Sequence, residues 1–187
     1  MEMPRTGTQL SNQVIEKYYT PENPARELLI THSRLVMEKS VKIADTHPEL
    51  EADVDFIAEA AMLHDIGIFL TWAPAIGCHG EHPYLCHGYL GRELLEKENL
   101  PKHGLVCERH TGIGLTTEEI RAQQLPLPQR DMVPQSIEEQ IICFADTFFS
   151  KGHDVEKEKT PEEVRAALRK YGEDKIKQFD VWCNRFL

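Results

Sequence analysis

Apolar residues recur at helical spacing along nearly the whole chain, and no strand-like alternation persists. The pattern predicts helices at about 10–19, 24–46, 53–66, 84–98, 101–110, 116–123, 136–151, 161–171 and 173–185. Several starts carry their own punctuation. Asn23-Pro24 reads as an N-cap followed by proline at the first helical position. Thr116 with Glu119, and Ser136 with Glu139, fit the capping box, in which the glutamate reaches back to the cap's backbone N–H. Thr160-Pro161 with Glu163 fits both rules. Two stretches break the periodicity: Gly67 to Pro83, with Pro74, Gly77 and Gly80, and Leu125 to Pro134, with three prolines. Long loops inside a compact domain are often functional. The charge-rich tail after Lys151 suits a helical pair packing through Leu168, Ile176, Phe179 and Trp182. An all-α chain follows, one domain over 1–187 with its core at about 24–152 and a helical appendage at 153–187.

Six polar residues fall where helical spacing puts the core. In the third predicted helix the face Val54, Ile57, Ala58, Ala61 continues into Asp65, directly after His64. In the seventh, Asp146 lies four after Ile142 and three before Phe149. His32 follows Leu28 by four and precedes Leu35 by three, His87 precedes Leu90 and Leu94, and His110 follows Val106 by four. A single inward histidine is usually a satisfied core group, because an unpaired buried polar group is costly. Six such groups, with no Arg or Lys on the same faces, are better satisfied together by a divalent cation. Mixed imidazole and carboxylate ligation suits Fe, Mn, Zn, Ni or Co and argues against a thiolate-bound structural zinc. Six ligands exceed one tetrahedral centre, which favours two adjacent metals bridged by a carboxylate.

Composition narrows the partners. The chain has 187 residues, with 21 Lys plus Arg against 31 Asp plus Glu, a formal net charge of -10. That balance disfavours nonspecific binding to nucleic acid or anionic membrane, both of which want clustered cations. Residues 1–10 lack a cationic stretch leading into an apolar run, and no apolar run approaches membrane-spanning length. The five cysteines form no framework. The expectation is a cytoplasmic protein with reduced thiols, with a homodimer through the helical tail after Gly152 as the candidate assembly.

His32, then His64-Asp65 within Ala61-Met62-Leu63-His64-Asp65-Ile66-Gly67, then Asp146 within Phe144-Ala145-Asp146, resembles the HD-domain superfamily of metal-dependent hydrolases in its HDIG subgroup. His87-Gly88-Tyr89-Leu90-Gly91 and Glu108-Arg109-His110-Thr111-Gly112 resemble the two extra histidines of dinuclear members. The likeness runs from about Leu28 to Gly152 and implies a compact helical bundle. By that resemblance His32, His64, Asp65 and Asp146 hold a first metal, and Asp65 bridges to a second that is held also by His87 and His110. His64 and Asp65 are then the catalytic doublet. The cofactor is one or two ions of Fe, Mn, Ni, Co or Zn, with Mg also permitted. Many members place a phosphate-contacting Lys directly after the glycine; here that residue is Ile68. Substitutes for it are His79, His82, Arg109 and Lys151.

The expected function is hydrolysis of a nucleotide or other small phosphate ester by a metal-activated water. The alternatives are an HD-type di-iron oxygenase and a nucleotide-binding regulatory module without turnover. Cys78, His79, His82 and Cys86 do not match zinc-finger spacing. Thr111-Gly112-Ile113-Gly114 lacks the full phosphate-loop signature, and no G-x-S-x-G elbow is present.

Overall fold

A computed structural model describes residues 8–152 and 154–187. The expectation for the amino terminus therefore lies mostly outside the described residues. Nine α-helices run in chain order among them: α1 (Gln9–Tyr18), α2 (Arg26–Thr46), α3 (Val54–Leu63), α4 (His87–Lys97), α5 (Pro101–Arg109), α6 (Thr117–Ala122), α7 (Ile137–Asp146), α8 (Pro161–Leu168) and α9 (Glu173–Phe186). The fold is all-α in its architecture. No helix is long and apolar enough to cross a membrane among the described residues.

Local chemistry sets most of the boundaries. Thr116 and Thr160 each accept from the glutamate N–H three residues on, and each glutamate reaches back, so both capping boxes close. Ser136 accepts from Glu139 N, but the Glu139 carboxylate takes Gln135 N and the Arg109 guanidinium instead, so the expected third box is only half formed. The helix expected from Pro24 starts two residues later: Asn23 Oδ1 accepts from Ala25 N within the preceding turn.

The stretch expected to be irregular folds into a three-stranded sheet of order β2-β1-β3, with β1 at Thr71–Ala73, β2 at Cys78–His79 and β3 at His82–Pro83. Strand β1 pairs antiparallel with β2 (Trp72 opposite His79) and parallel with β3 (Thr71 opposite His82). Strands of two or three residues are too short to display a period of two. Glycine makes the sheet possible: a Cβ on Gly80 would lie 2.1 Å from the carbonyl carbon of Leu70.

Helix α2 packs on α3 and α7, and α4 on α5. One core cluster joins α2, α3 and α7 to the last two helices through Val36, Ile57, Ile142, Phe144, Phe179 and Phe186. A second joins α1 to the opposite side of α2, α3 and α4 through Val14, Leu29, Leu63 and Leu95. The appendage is sealed onto the chain's own core: the Phe179 ring lies 5.4 Å from that of Phe144 and 5.8 Å from that of Phe148. Burying each such phenylalanine contributes about 1.5–3 kcal/mol.

Helix α7 stops at Asp146 rather than continuing to 151. Phe148 and Phe149 are both buried, and neighbours in a continuing helix would point about 100° apart. The turn that buries both is held by Lys159, whose Nζ donates to the carbonyls of Thr147 and Phe149, each at 3.3 Å.

Candidate metal centre

Helix ends deliver most of the six inward residues. His64 caps α3 with Asp65 following, His87 opens α4, His110 caps α5 and Asp146 closes α7, while His32 sits within α2. Glycines let these ends converge. A Cβ on Gly67 would lie 2.3 Å from the carbonyl oxygen of His87, and one on Gly88 would lie 2.7 Å from that of Cys107. The turn after α3 thus rests directly on the start of α4, and α4 on α5.

Four groups, His32, His64, Asp65 and Asp146, bring one potential ligand atom each within 4.8 Å of one another; Asp65, His87 and His110 do the same. Asp65 belongs to both sets and divides its oxygens between them. Oδ2 lies 3.3 Å from Nε2 of His32 and of His64, and Oδ1 lies 3.4 Å from Nε2 of His87 and of His110.

Three of the imidazoles are oriented by the same device. Nδ1 of His64, His87 and His110 donates to the carbonyl three residues earlier (Ala61, Tyr84 and Cys107) at 2.6, 2.7 and 2.7 Å. A carbonyl only accepts, so Nδ1 carries a hydrogen and Nε2 is the nitrogen turned inward, its lone pair open to a metal whenever the ring is neutral. Nε2 of His87 then faces Nε2 of His110 at 3.2 Å, lone pair against lone pair. Nε2 of His64 and Oδ1 of Asp65 are buried with no hydrogen-bond partner, and Oδ2 of Asp65 meets only the cluster's histidines and Lys151. Inward imidazole nitrogens, an orphaned carboxylate oxygen and a mixed His/Asp donor set are what a divalent cation satisfies, so the residues fit one.

The charge balance is as unusual as the geometry. Burial alone would push Asp65 and Asp146 up, yet Lys151 and the facing histidines hold both carboxyls well below the usual range. Burial lowers His64, but Asp65 and Asp146 overcome it and raise the imidazole to about 10. His87 goes the other way: burial, aided by the Lys151 charge, outweighs the opposing pull of Asp65 and lowers it to about 4.

Lys151 brings these groups the cation that the helix faces lack. It comes from the turn after α7 rather than from a helix face, and its Nζ lies 2.6 Å from Asp65 Oδ2. Of the four phosphate-contact candidates it alone reaches the cluster. Arg109 directs Nη1 at both oxygens of Glu139, at 2.9 and 3.0 Å. His79 and His82 lie exposed on the flanking strands, His79 with its ring 5.8 Å from that of Trp72. Cys78 and Cys86 direct their thiols to the carbonyls of Ile76 and Pro126. Tyr84 was not singled out by its spacing, although its ring lies 4.8 Å from that of His87 and its hydroxyl faces Lys151. Nothing in the periodicity marks it.

Comparison with known proteins agrees with this arrangement. The HD domain family matches residues 29–149. Two curated relatives are named tRNA (cytidine(56)-2'-O)-methyltransferase, from Picrophilus torridus (37% identical) and Thermoplasma volcanium (32% identical). Each similarity spans 67% of this chain but 33% of the relative, so the chain matches about a third of their length. An uncharacterized protein of Methanocaldococcus jannaschii is 34% identical, over 67% of this chain and 68% of its own length. No solved structure matches the chain.

Proposed function

The chain belongs to the HD-domain family, and from that premise we propose that it is a metal-dependent phosphohydrolase acting on a nucleotide or other small phosphate ester. The observation that carries this reading is the divided carboxylate of Asp65, one oxygen toward His32 and His64 and the other toward His87 and His110. A carboxylate so placed would bridge two cations, with His32, His64 and Asp146 completing one set and His87 and His110 the other.

Bound divalent cations would lower the pKa of a water far below its bulk value, toward about 7, and neutralise charge on phosphoryl oxygens. The chain's own groups do the rest. The Nδ1 bonds of His64, His87 and His110 fix ring orientation before any ligand arrives. Lys151 supplies a cation beside Asp65 where a phosphate oxygen could be received, in place of the lysine that Ile68 displaces. The metal centre supplies the positive charge that a surface with a net -10 lacks.

The methyltransferase name belongs to relatives of which the matched stretch is a third. A buried His/Asp cluster supports ligation chemistry rather than methyl transfer.

The test is a panel of nucleotides and small phosphate esters, offered to protein loaded separately with Mn, Fe, Co, Ni, Zn or Mg. Phosphate release from at least one ester, abolished by chelation and restored by metal, is the expected result. Oxygen consumption with esters left intact would replace the hydrolase with an oxygenase, and binding without turnover across all metals would leave a regulatory module.

A further inference from the structure

A cavity of about 250 Å³ opens beside the metal-ligand cluster, with His87 in its wall and Thr111, the residue after His110, next to it. Its other walls are largely apolar: the rings of Tyr84 and Tyr171 and the side chains of Leu85, Leu115 and Leu125. Tyr84 joins the two spaces, touching His87 and Lys151 on one side and the cavity on the other.

The polar groups lining it are of two kinds. Lys175 and Glu119 neutralise each other, Nζ to Oε1 at 2.8 Å; Lys175 also donates to Gly114 O, and Glu119 accepts from Thr116 N. Neither charge is left for a ligand, so a phosphate or carboxylate has no partner there. Gln123 and Thr111 differ. Gln123 is an exposed residue of the cavity lining, so its amide is open to a ligand, while the Thr111 hydroxyl is buried against Gly88 of α4. An aromatic enclosure without a free charge, with the Gln123 amide on its open side, matches a flat ring that buries its faces and hydrogen-bonds along its edge.

Resting on the hydrolase reading, we propose that this cavity holds the uncharged heteroaromatic base of a nucleotide substrate while the phosphate lies at the His/Asp cluster. Substrate selection then comes from Tyr84, Tyr171 and Gln123 rather than from the metal ligands. A sugar phosphate would reach the cluster and leave the cavity unfilled.

The experiment titrates the full-length, metal-loaded chain with adenosine, guanosine, cytidine and uridine by calorimetry, with ribose 5-phosphate and the four nucleoside monophosphates as phosphate-bearing probes. At least one free nucleoside binds, and its monophosphate is preferred over ribose 5-phosphate. Tyr171 is exposed, so Tyr171→Ala should keep the unfolding midpoint of the parent while weakening nucleoside binding about tenfold, the loss of one stacking face. Gln123→Leu should narrow the spread among the four bases. No measurable nucleoside binding, or a Tyr171→Ala variant that binds all four as the parent does, overturns the proposal. The two readings fail separately. Ribose 5-phosphate hydrolysed as well as any nucleotide, with no nucleoside bound, removes the base cavity and leaves the hydrolase. A nucleoside bound tightly with every phosphate ester intact keeps the cavity's occupant and removes the hydrolase.

Discussion

Nζ of Lys151 lies 2.6 Å from Oδ2 of Asp65, an ammonium set against a carboxylate that is wholly buried. This pair joins the ligand cluster to the turn after α7, and through Lys159 to the segment leading into the last two helices. It also answers the absence of a lysine at Ile68, because the cation arrives from a different part of the chain.

Replacing Lys151 by Met should act differently with and without metal. Removing one partner of a buried pair costs about 3–5 kcal/mol when the other charge is left uncompensated. In metal-stripped protein Lys151→Met should therefore unfold at markedly lower urea. In metal-loaded protein, where cations compensate Asp65, the cost should fall to below about 1 kcal/mol. Phosphate ester turnover should still drop, with the loss in kcat/KM on the order of 100-fold, as for loss of one charged transition-state contact. Urea melts in chelator and in metal, beside steady-state kinetics, measure all three.

The raised His64 imidazole gives metal-stripped protein a definite pH dependence. Its folded value is about 10 against an ordinary 6.5. The stability it contributes is thus fully present below about pH 6.5 and is lost as pH rises through the folded value. Thermal unfolding of the stripped protein should fall in Tm across that window, and His64→Gln should flatten the decline. Because a metal competes for the same nitrogen, metal binding near neutral pH should release protons, read as a buffer-dependent heat of binding.

Gly67→Ala tests the convergence of helix ends. The new methyl would lie 2.3 Å from His87 O and 2.6 Å from Gly91 N, both of them backbone atoms. Overpacking of this kind costs about 1–3 kcal/mol. It should also separate His87 from Asp65 and weaken the second metal more than the first. Metal titration followed by calorimetry should show the second of two transitions shifted.

Much of this centre was legible because helical spacing exposes a polar residue that interrupts an apolar face. His32, Asp65 and Asp146 stand out on that ground, and eight of the nine helices fall within three residues of their expected limits, α7 being the exception. What escaped was decided by contacts distant in sequence. Glu139 leaves its expected capping box because Arg109, 30 residues away, competes for the carboxylate. Helix α7 ends early because Phe148 and Phe149 both turn into the core, which releases Lys151 to reach Asp65. The sheet at Thr71–Pro83 is made of strands too short to leave a pattern. Tyr84 acts through position alone, beside a histidine and a lysine that folding brings to it.

Metal content per chain, measured in the parent and in Asp65→Ala, tests the shared carboxylate most directly. Two divalent ions per chain are expected in the parent, falling below one in the variant because both ligand sets lose an oxygen from the same residue. An Asp65→Ala protein that folds and still holds two ions per chain would contradict the bridging role, and with it the account of how six scattered side chains form one centre.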